Sequence, residues 1–213
     1  MRYEYLVFDL DGTISNNRDG IVRSINYALS ENGWDERDET ELESFIGPPL
    51  DQSFSILVNS RDPVVVESLV NAYRDRYSDV GFSENVLYDG VRKALETLSN
   101  LPGLTLGVCT SKRGDFAEQI IKMFGLHDMF AFISGGVFGR DKSRQLGALL
   151  DAGTINSRSV MIGDRSFDLV AARDNRIDSA GVLWGFGSRS ELMQHDPTHL
   201  FSEPKDLLEL VNR

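Results

Sequence analysis

Short apolar runs that end in polar or glycine-containing turns recur at residues 5–10, 104–109, 130–134, 160–162 and 180–184. Runs without the in-out alternation of a half-exposed strand predict parallel strands buried on both faces. Between the later runs the apolar residues switch to helical spacing. Residues 115–124 carry Phe116, Ile120, Ile121 and Phe124. Residues 142–152 carry Leu146, Leu149 and Leu150, and Gly153 follows as a helix stop. This alternation predicts a layered α/β domain whose site gathers at the C-terminal ends of the strands.

The first crossover breaks the pattern. Parallel strands need a connection of only about a dozen residues or more, yet residues 14–103 separate the first two predicted core strands. Helical patterns occupy 19–32, 40–45, 63–79 and 89–98, and strand-like runs are nearly absent. The economical reading is a small α-helical domain, residues 15–86, inserted into a core made of 1–14 and 87–213. Residues 204–213 read as a short closing helix. Neither an internal repeat nor a low-complexity tract intervenes.

Composition changes this picture mainly by exclusion. The 213 residues are 41% hydrophobic and 26% charged, as in an ordinary globular protein. With 22 Lys and Arg against 33 Asp and Glu, the net charge is -11. The basic residues are scattered, so neither nucleic acid nor an anionic membrane is an expected partner. The single cysteine, Cys109, excludes an internal disulfide framework and a metal site built from several cysteines. No apolar run approaches the length of a membrane span, and Met1-Arg2-Tyr3-Glu4-Tyr5 runs into a strand without a signal-peptide core. Cytoplasmic is the expected location, and monomer and homodimer both stay open.

Candidate chemistry begins at Phe8-Asp9-Leu10-Asp11-Gly12-Thr13, directly after the first strand. Residues i and i+2 of an extended chain point the same way, so both carboxylates are expected to face one pocket. A carboxylate can attack phosphorus and form an aspartyl-phosphate. A second carboxyl can protonate the departing alcohol and later take a proton from water. Gly12 permits a sharp turn and is expected to present amide hydrogens to an anion. Taken alone, the segment is equally an ordinary Asp-Gly turn.

Val160-Met161-Ile162-Gly163-Asp164-Arg165-Ser166-Phe167-Asp168 ends a later strand with another acidic pair. Carboxylates of this kind hold Mg2+, which offsets the charge of a phosphate dianion. Asp164 is also expected to cap the helix that follows. Thr110 and Ser111 end the strand at 104–109 with phosphate-binding donors, or with polar groups serving their own loop. Lys142, near a helix start, can neutralise charge on Asp9 and a transferred phosphoryl group; a surface lysine is the plainer alternative.

In order and spacing, Asp9-x-Asp11-Gly12-Thr13, Thr110, Lys142 and Gly163-Asp164-x-x-x-Asp168 resemble the haloacid dehalogenase superfamily of phosphohydrolases. Phe45-Ile46-Gly47-Pro48-Pro49-Leu50, Glu84-Asn85-Val86-Leu87-Tyr88-Asp89-Gly90-Val91 and Gly181-Val182-Leu183-Trp184-Gly185-Phe186-Gly187 resemble its phosphoglycolate phosphatase-like branch, which has a helical cap. The resemblance implies a Rossmann-like parallel sheet core and a Mg2+-dependent hydrolase of a small phosphorylated metabolite. It implies Asp9 as the phosphorylated nucleophile, Asp11 as the acid/base, Thr110 and Ser111 on phosphate, and Lys142 orienting Asp9. The metal would rest on the Asp9 carboxylate, the Asp11 backbone carbonyl and Asp164, with Asp168 acting directly or through water. Asn16-Asn17 stand where many relatives have an Asp-Ser pair near the cap entrance. A phosphomutase and a non-enzymatic phospho-switch are the alternatives, and the second carboxylate argues against a dehalogenase. Which phosphorylated compound is taken stays open among phosphoglycolate, a nucleotide, pyrophosphate and a sugar phosphate.

Several conspicuous residues receive plainer expectations. Cys109 reads as core packing, and His127, His195 and His199 lack metal-ligand spacing. Trp184 and Phe186 read as packing at the core edge. Arg74, Arg76 and Tyr77, on an inserted helix, read as solvent-facing or as reaching substrate.

Overall fold

A computed structural model describes residues 2–46, 50–137 and 140–211. It divides into two compact units, Met1–Asn16 with Val86–Arg213, and Asn17–Asn85.

The larger unit is built on a six-stranded sheet whose neighbouring strands all run parallel. Its strands are β1 (Tyr5–Phe8), β4 (Thr105–Arg113), β5 (Phe132–Gly136), β6 (Ser159–Gly163), β7 (Asp178–Val182) and β8 (His199–Phe201). The short β2 (Ser15–Asn16) and β3 (Val86–Leu87) pair antiparallel, Asn16 opposite Val86, where the chain leaves and rejoins this unit. In space the main sheet runs β5-β4-β1-β6-β7-β8. The chain therefore winds outward from β1 on one side through β4 and β5, and on the other through β6 to β8. The point where the winding reverses lies beside β1, which is where open α/β sheets carry their sites.

The apolar runs become strands because helices cover them. The face bearing Val7, Cys109 and Met161 packs against Leu146 of α7 (Lys142–Asp151) and against Ala171 and Ala172 of α8 (Ser166–Asp174). Each fully buried side chain of leucine size contributes about 1.5–3 kcal/mol relative to exposure. α5 (Val91–Ser99) and α6 (Gly114–Met123) also pack on β4. Asp141 starts α7 by accepting from the Arg144 amide at 2.8 Å, which makes Lys142 the first helical residue. Gly153 follows α7 with φ +69°, the stop that the sequence predicts.

The inserted unit is helical. Its α1 (Arg18–Glu31) and α4 (Pro63–Asp79) pack together through Val22, Ile25, Leu29, Leu69, Val70, Tyr73 and Tyr77, all buried. Asp62 caps α4 by accepting from the Val64 amide at 2.9 Å, with Pro63 in the first turn, where its missing N–H costs nothing. Among the described residues this unit also has α2 (Glu39–Leu42), which runs into a 3-10 turn at Glu43–Phe45, α3 (Leu50–Leu57) and a 3-10 turn at Gly81–Ser83.

Several expectations need correction. α3, α9 (Arg189–Met193), β8 and the β2–β3 pair have no counterpart in the periodicity reading. The closing helix is a 3-10 turn over Pro204–Leu210. Gly47-Pro48-Pro49 lies outside the described residues. Arg76 is committed to Glu84 at 2.9 Å inside the inserted unit, and Tyr77 is buried and stacked on Tyr73. Among the described residues no helix is long and apolar enough to cross a membrane.

Candidate active site

Three adjacent strands deliver the candidate residues. Asp9 follows β1, and its amide donates to Ile162 O of β6 at 2.8 Å, which ties the two strand ends together. Thr110 lies in β4, on the other side of β1, and Asp164 follows β6. Past Asp9 the chain closes a compact loop: the Ile14 and Ser15 amides donate to Leu10 O at 2.9 and 3.0 Å, and the Gly12 amide donates to Ser15 O at 2.8 Å. Gly12 has φ +82°, and a Cβ there would lie 2.2 Å from Asp164 Oδ2, so no other residue fits.

Lys142 sits among carboxylates. Its Nζ is 3.0 Å from Asp9 Oδ1 and 2.5 Å from Asp168 Oδ1, with its side chain 5% exposed and that of Asp168 fully buried. Asp168 Oδ2 accepts from the Arg165 amide at 3.1 Å, so both of its oxygens are engaged. Its closeness to the end of β6 depends on Gly163, where a Cβ would lie 2.0 Å from Asp168 Cγ. Asp164 accepts from the Phe186 amide at 2.9 Å and from Thr13 Oγ1 at 3.2 Å. Asp11 Oδ2 faces Lys112 Nζ at 2.9 Å, and Asp11 Oδ1 is buried without a hydrogen-bond partner. Thr110 is buried; its Oγ1 accepts from the Lys112 amide at 3.2 Å and its carbonyl from Gln145 Nε2 at 3.2 Å.

One carboxylate oxygen from each of Asp9, Asp164 and Asp168 lies within 4.8 Å of the others, and all three residues are buried. Burial pushes the Asp164 carboxyl up to about 7, and the charges of Asp168 and Asp9 add to the effect. Burial also raises Asp11, with Lys112 opposing and the Asp9 charge adding. Burial works against the charge on Lys142, but the Asp168 and Asp9 carboxylates outweigh it and hold the ammonium above the usual lysine range. Three carboxylates against one ammonium leave two negative charges when all are ionised. An all-oxygen donor set with that excess suits a hard divalent cation such as Mg2+.

Asp9, Asp11, Lys142, Asp164, Asp168 and Thr110 thus converge at one end of the sheet. Ser111, next to Thr110, is exposed. Two expectations fail on hydrogen-bond accounting. The Gly12 amide is spent on Ser15 O, so Gly12 shapes the loop and does not present that hydrogen to an anion. Asp164 does not cap α8: its oxygens are turned to Phe186 and Thr13, while Asp168 and Glu191 accept from the Arg165 and Ser166 amides. Trp184 and Phe186 do more than pack the core edge. The Trp184 indole donates to Thr13 O at 2.9 Å, and the Phe186 amide holds Asp164. Sequence reasoning also missed Lys112 and Gln145. Lys112 had one available signal, its position two residues after Thr110. Cys109 is buried, its thiol pushed up to about 12 by burial, which keeps it un-ionised. His199 bonds the Tyr3 hydroxyl at 2.8 Å, and that hydroxyl donates to Asp178, which is not one of the clustered carboxylates.

A family model described as haloacid dehalogenase-like hydrolase matches residues 6–182. A 5'-nucleotidase of Pseudomonas aeruginosa is 41% identical over 203 residues, covering 93% of this chain and 91% of that protein. The tyrosine-protein kinase PtkA of Mycobacterium tuberculosis is 30% identical over 211 residues, 97% of this chain and 71% of that protein. Relatives of lower identity include proteins named phosphoglycolate phosphatase. Among solved structures, a putative phosphatase from Clostridium difficile superposes with a TM-score of 0.91 at 33% identity over 98% of both chains. The family match, the site at the winding reversal and these alignments lead to one conclusion: the chain belongs to the haloacid dehalogenase-like hydrolase family, and its kinship there is with the phosphatases.

Proposed function

We propose that the protein hydrolyses a small phosphorylated metabolite through a phosphorylated Asp9, with Mg2+ as cofactor. The observation that carries this reading is the Asp9 carboxylate at the end of β1, 3.0 Å from Lys142 and within 4.8 Å of two further buried carboxylates. In the first step an Asp9 oxygen forms a bond to phosphorus while the ester P–O bond breaks, and Asp11 gives its proton to the departing oxygen. In the second, water attacks the same phosphorus, its proton passes to Asp11, and the bond to Asp9 breaks to release inorganic phosphate. Lys142 orients Asp9 and balances charge, and Thr110 and Ser111 hold phosphate oxygens. The Asp9 carboxylate, the Asp11 main-chain carbonyl and Asp164 would hold the metal, with Asp168 acting directly or through water. When bound, Mg2+ offsets the charge of the phosphoryl oxygens.

The raised Asp11 carboxyl supports its role as an acid, since burial makes it hold its proton more firmly than an exposed carboxyl does. The 5'-nucleotidase relative supports hydrolysis and makes nucleoside monophosphates the first substrates to try. Residues 17–85 are proposed as a cap that selects substrate; support comes from their insertion immediately after the loop that carries Asp9 and Asp11. The purified protein is expected to release phosphate from p-nitrophenyl phosphate with Mg2+ and to stop when the metal is chelated. Asp9→Asn is expected to lose at least about 1,000-fold in kcat. Full activity in that variant contradicts the mechanism.

A further inference from the structure

Lys112 has no part in the phosphoryl-transfer set above, yet it is built into the same strand ends. Its side chain is only 9% exposed, and its Nζ lies 2.9 Å from Asp11 Oδ2. Its amide donates to Thr110 Oγ1, so one stretch of β4 orients both the phosphate-binding hydroxyl and this ammonium. The two oxygens of Asp11 are consequently unlike each other. Oδ2 is anchored, while Oδ1 is buried with no hydrogen-bond partner. Lys112 is thus the side chain that anchors this carboxyl.

Resting on the phosphatase reading, we infer that Lys112 is a positioning residue that grips Asp11 by Oδ2 and so fixes where the acid stands relative to the leaving oxygen. The contact survives protonation of Asp11. An ammonium donates to an oxygen of a carboxylate and, more weakly, to the carbonyl oxygen of a neutral carboxyl. Throughout the cycle Lys112 keeps its hold, while the Asp11 carboxyl gives its proton to the leaving oxygen and recovers one from water. A geometric demand of this kind is strict, because proton transfer needs heavy atoms about 2.6–3.2 Å apart.

The role separates from two others by leaving-group dependence. A cation that binds phosphate serves every substrate alike, and so does one that only stabilises the fold. A group that aims the acid matters most when the leaving oxygen is a poor one. The test is kcat/KM, with Mg2+, across aryl phosphates graded from p-nitrophenyl to p-methylphenyl phosphate, for wild type, Lys112→Met and Lys112→Arg. Lys112→Met is expected to lose at least about tenfold more on p-methylphenyl than on p-nitrophenyl phosphate, mainly in kcat, and Lys112→Arg is expected to restore most of the difference. The ratio between substrates is internal to each preparation, so a partly unfolded variant lowers both rates equally and leaves the reading intact. Equal losses on all substrates, or a rise in KM alone, overturn the inference and leave the phosphatase reading standing. Absence of phosphate release by wild type overturns the phosphatase reading itself.

Discussion

Lys142 is the residue on which the charge balance of the site turns. It is almost fully buried and meets Asp9 and Asp168 at 3.0 and 2.5 Å. A buried cation is tolerated only where such partners exist, and its removal strands them without compensation. Lys142→Met is therefore expected to cost about 3–5 kcal/mol in denaturant unfolding of the metal-free protein and to abolish turnover. Unchanged stability would mean that the two carboxylates are solvated or neutral without it. Asp164 titrates in a measurable range. Its carboxyl stands at about 7 in the folded protein, well above the usual value of about 4. A raised carboxyl contributes stability that is fully present below about pH 4 and is lost as pH rises through about 7. Metal binding requires the ionised form, so proton and Mg2+ compete. Apparent Mg2+ affinity is expected to be about tenfold weaker at pH 6 than at pH 8, measured by calorimetry. A flat affinity across that interval contradicts the raised value.

At the scale of elements, the site is a meeting of loops. The Asp9–Thr13 loop after β1 is pinned from the segment after β7 by the Trp184 indole on Thr13 O, and that segment also fixes Asp164 through the Phe186 amide. Trp184→Phe keeps the ring and removes the donor, leaving a carbonyl unpaired; the expected cost is about 1–3 kcal/mol in thermal unfolding, with kcat reduced. Wild-type stability and kcat would show that water replaces the indole without loss. Contacts of this sort explain what was legible in the sequence. Asp9, Asp164 and Lys142 could be read because each follows or opens an element with a strong apolar pattern, at residues 5–10, 160–162 and 142–152. β8 could not, because His199–Phe201 is three residues at a sheet edge with no apolar run. α3 carries Leu50, Phe54 and Leu57 at helical spacing, but over only eight residues, a run too short to stand out. The Lys112–Asp11 pair and the Trp184 bond join segments distant in sequence, which periodicity within a segment does not encode.

For the whole molecule, a small part of the acidic composition is buried together at the candidate site. Of the 33 acidic residues, Asp9, Asp164 and Asp168 form a buried cluster that repels itself in the metal-free protein. A ligand that binds only the folded state stabilises it by mass action, about 2.7 kcal/mol at a hundred times its Kd. Mg2+ is expected to raise the melting temperature at pH 8. Asp164→Asn is expected to raise that of the metal-free protein and to abolish the response to Mg2+. A variant still stabilised by Mg2+ would locate the metal elsewhere. The account as a whole depends on one covalent bond, between Asp9 and phosphorus. The most direct test is to quench the protein in acid during the first turnover with Mg2+ and labelled substrate, and to map the label by peptide mass spectrometry. One phosphoryl group on the peptide containing Asp9, formed before phosphate is released and absent from Asp9→Asn, is the predicted result. Phosphate release that begins without a phosphorylated Asp9, or label on another residue, would contradict it.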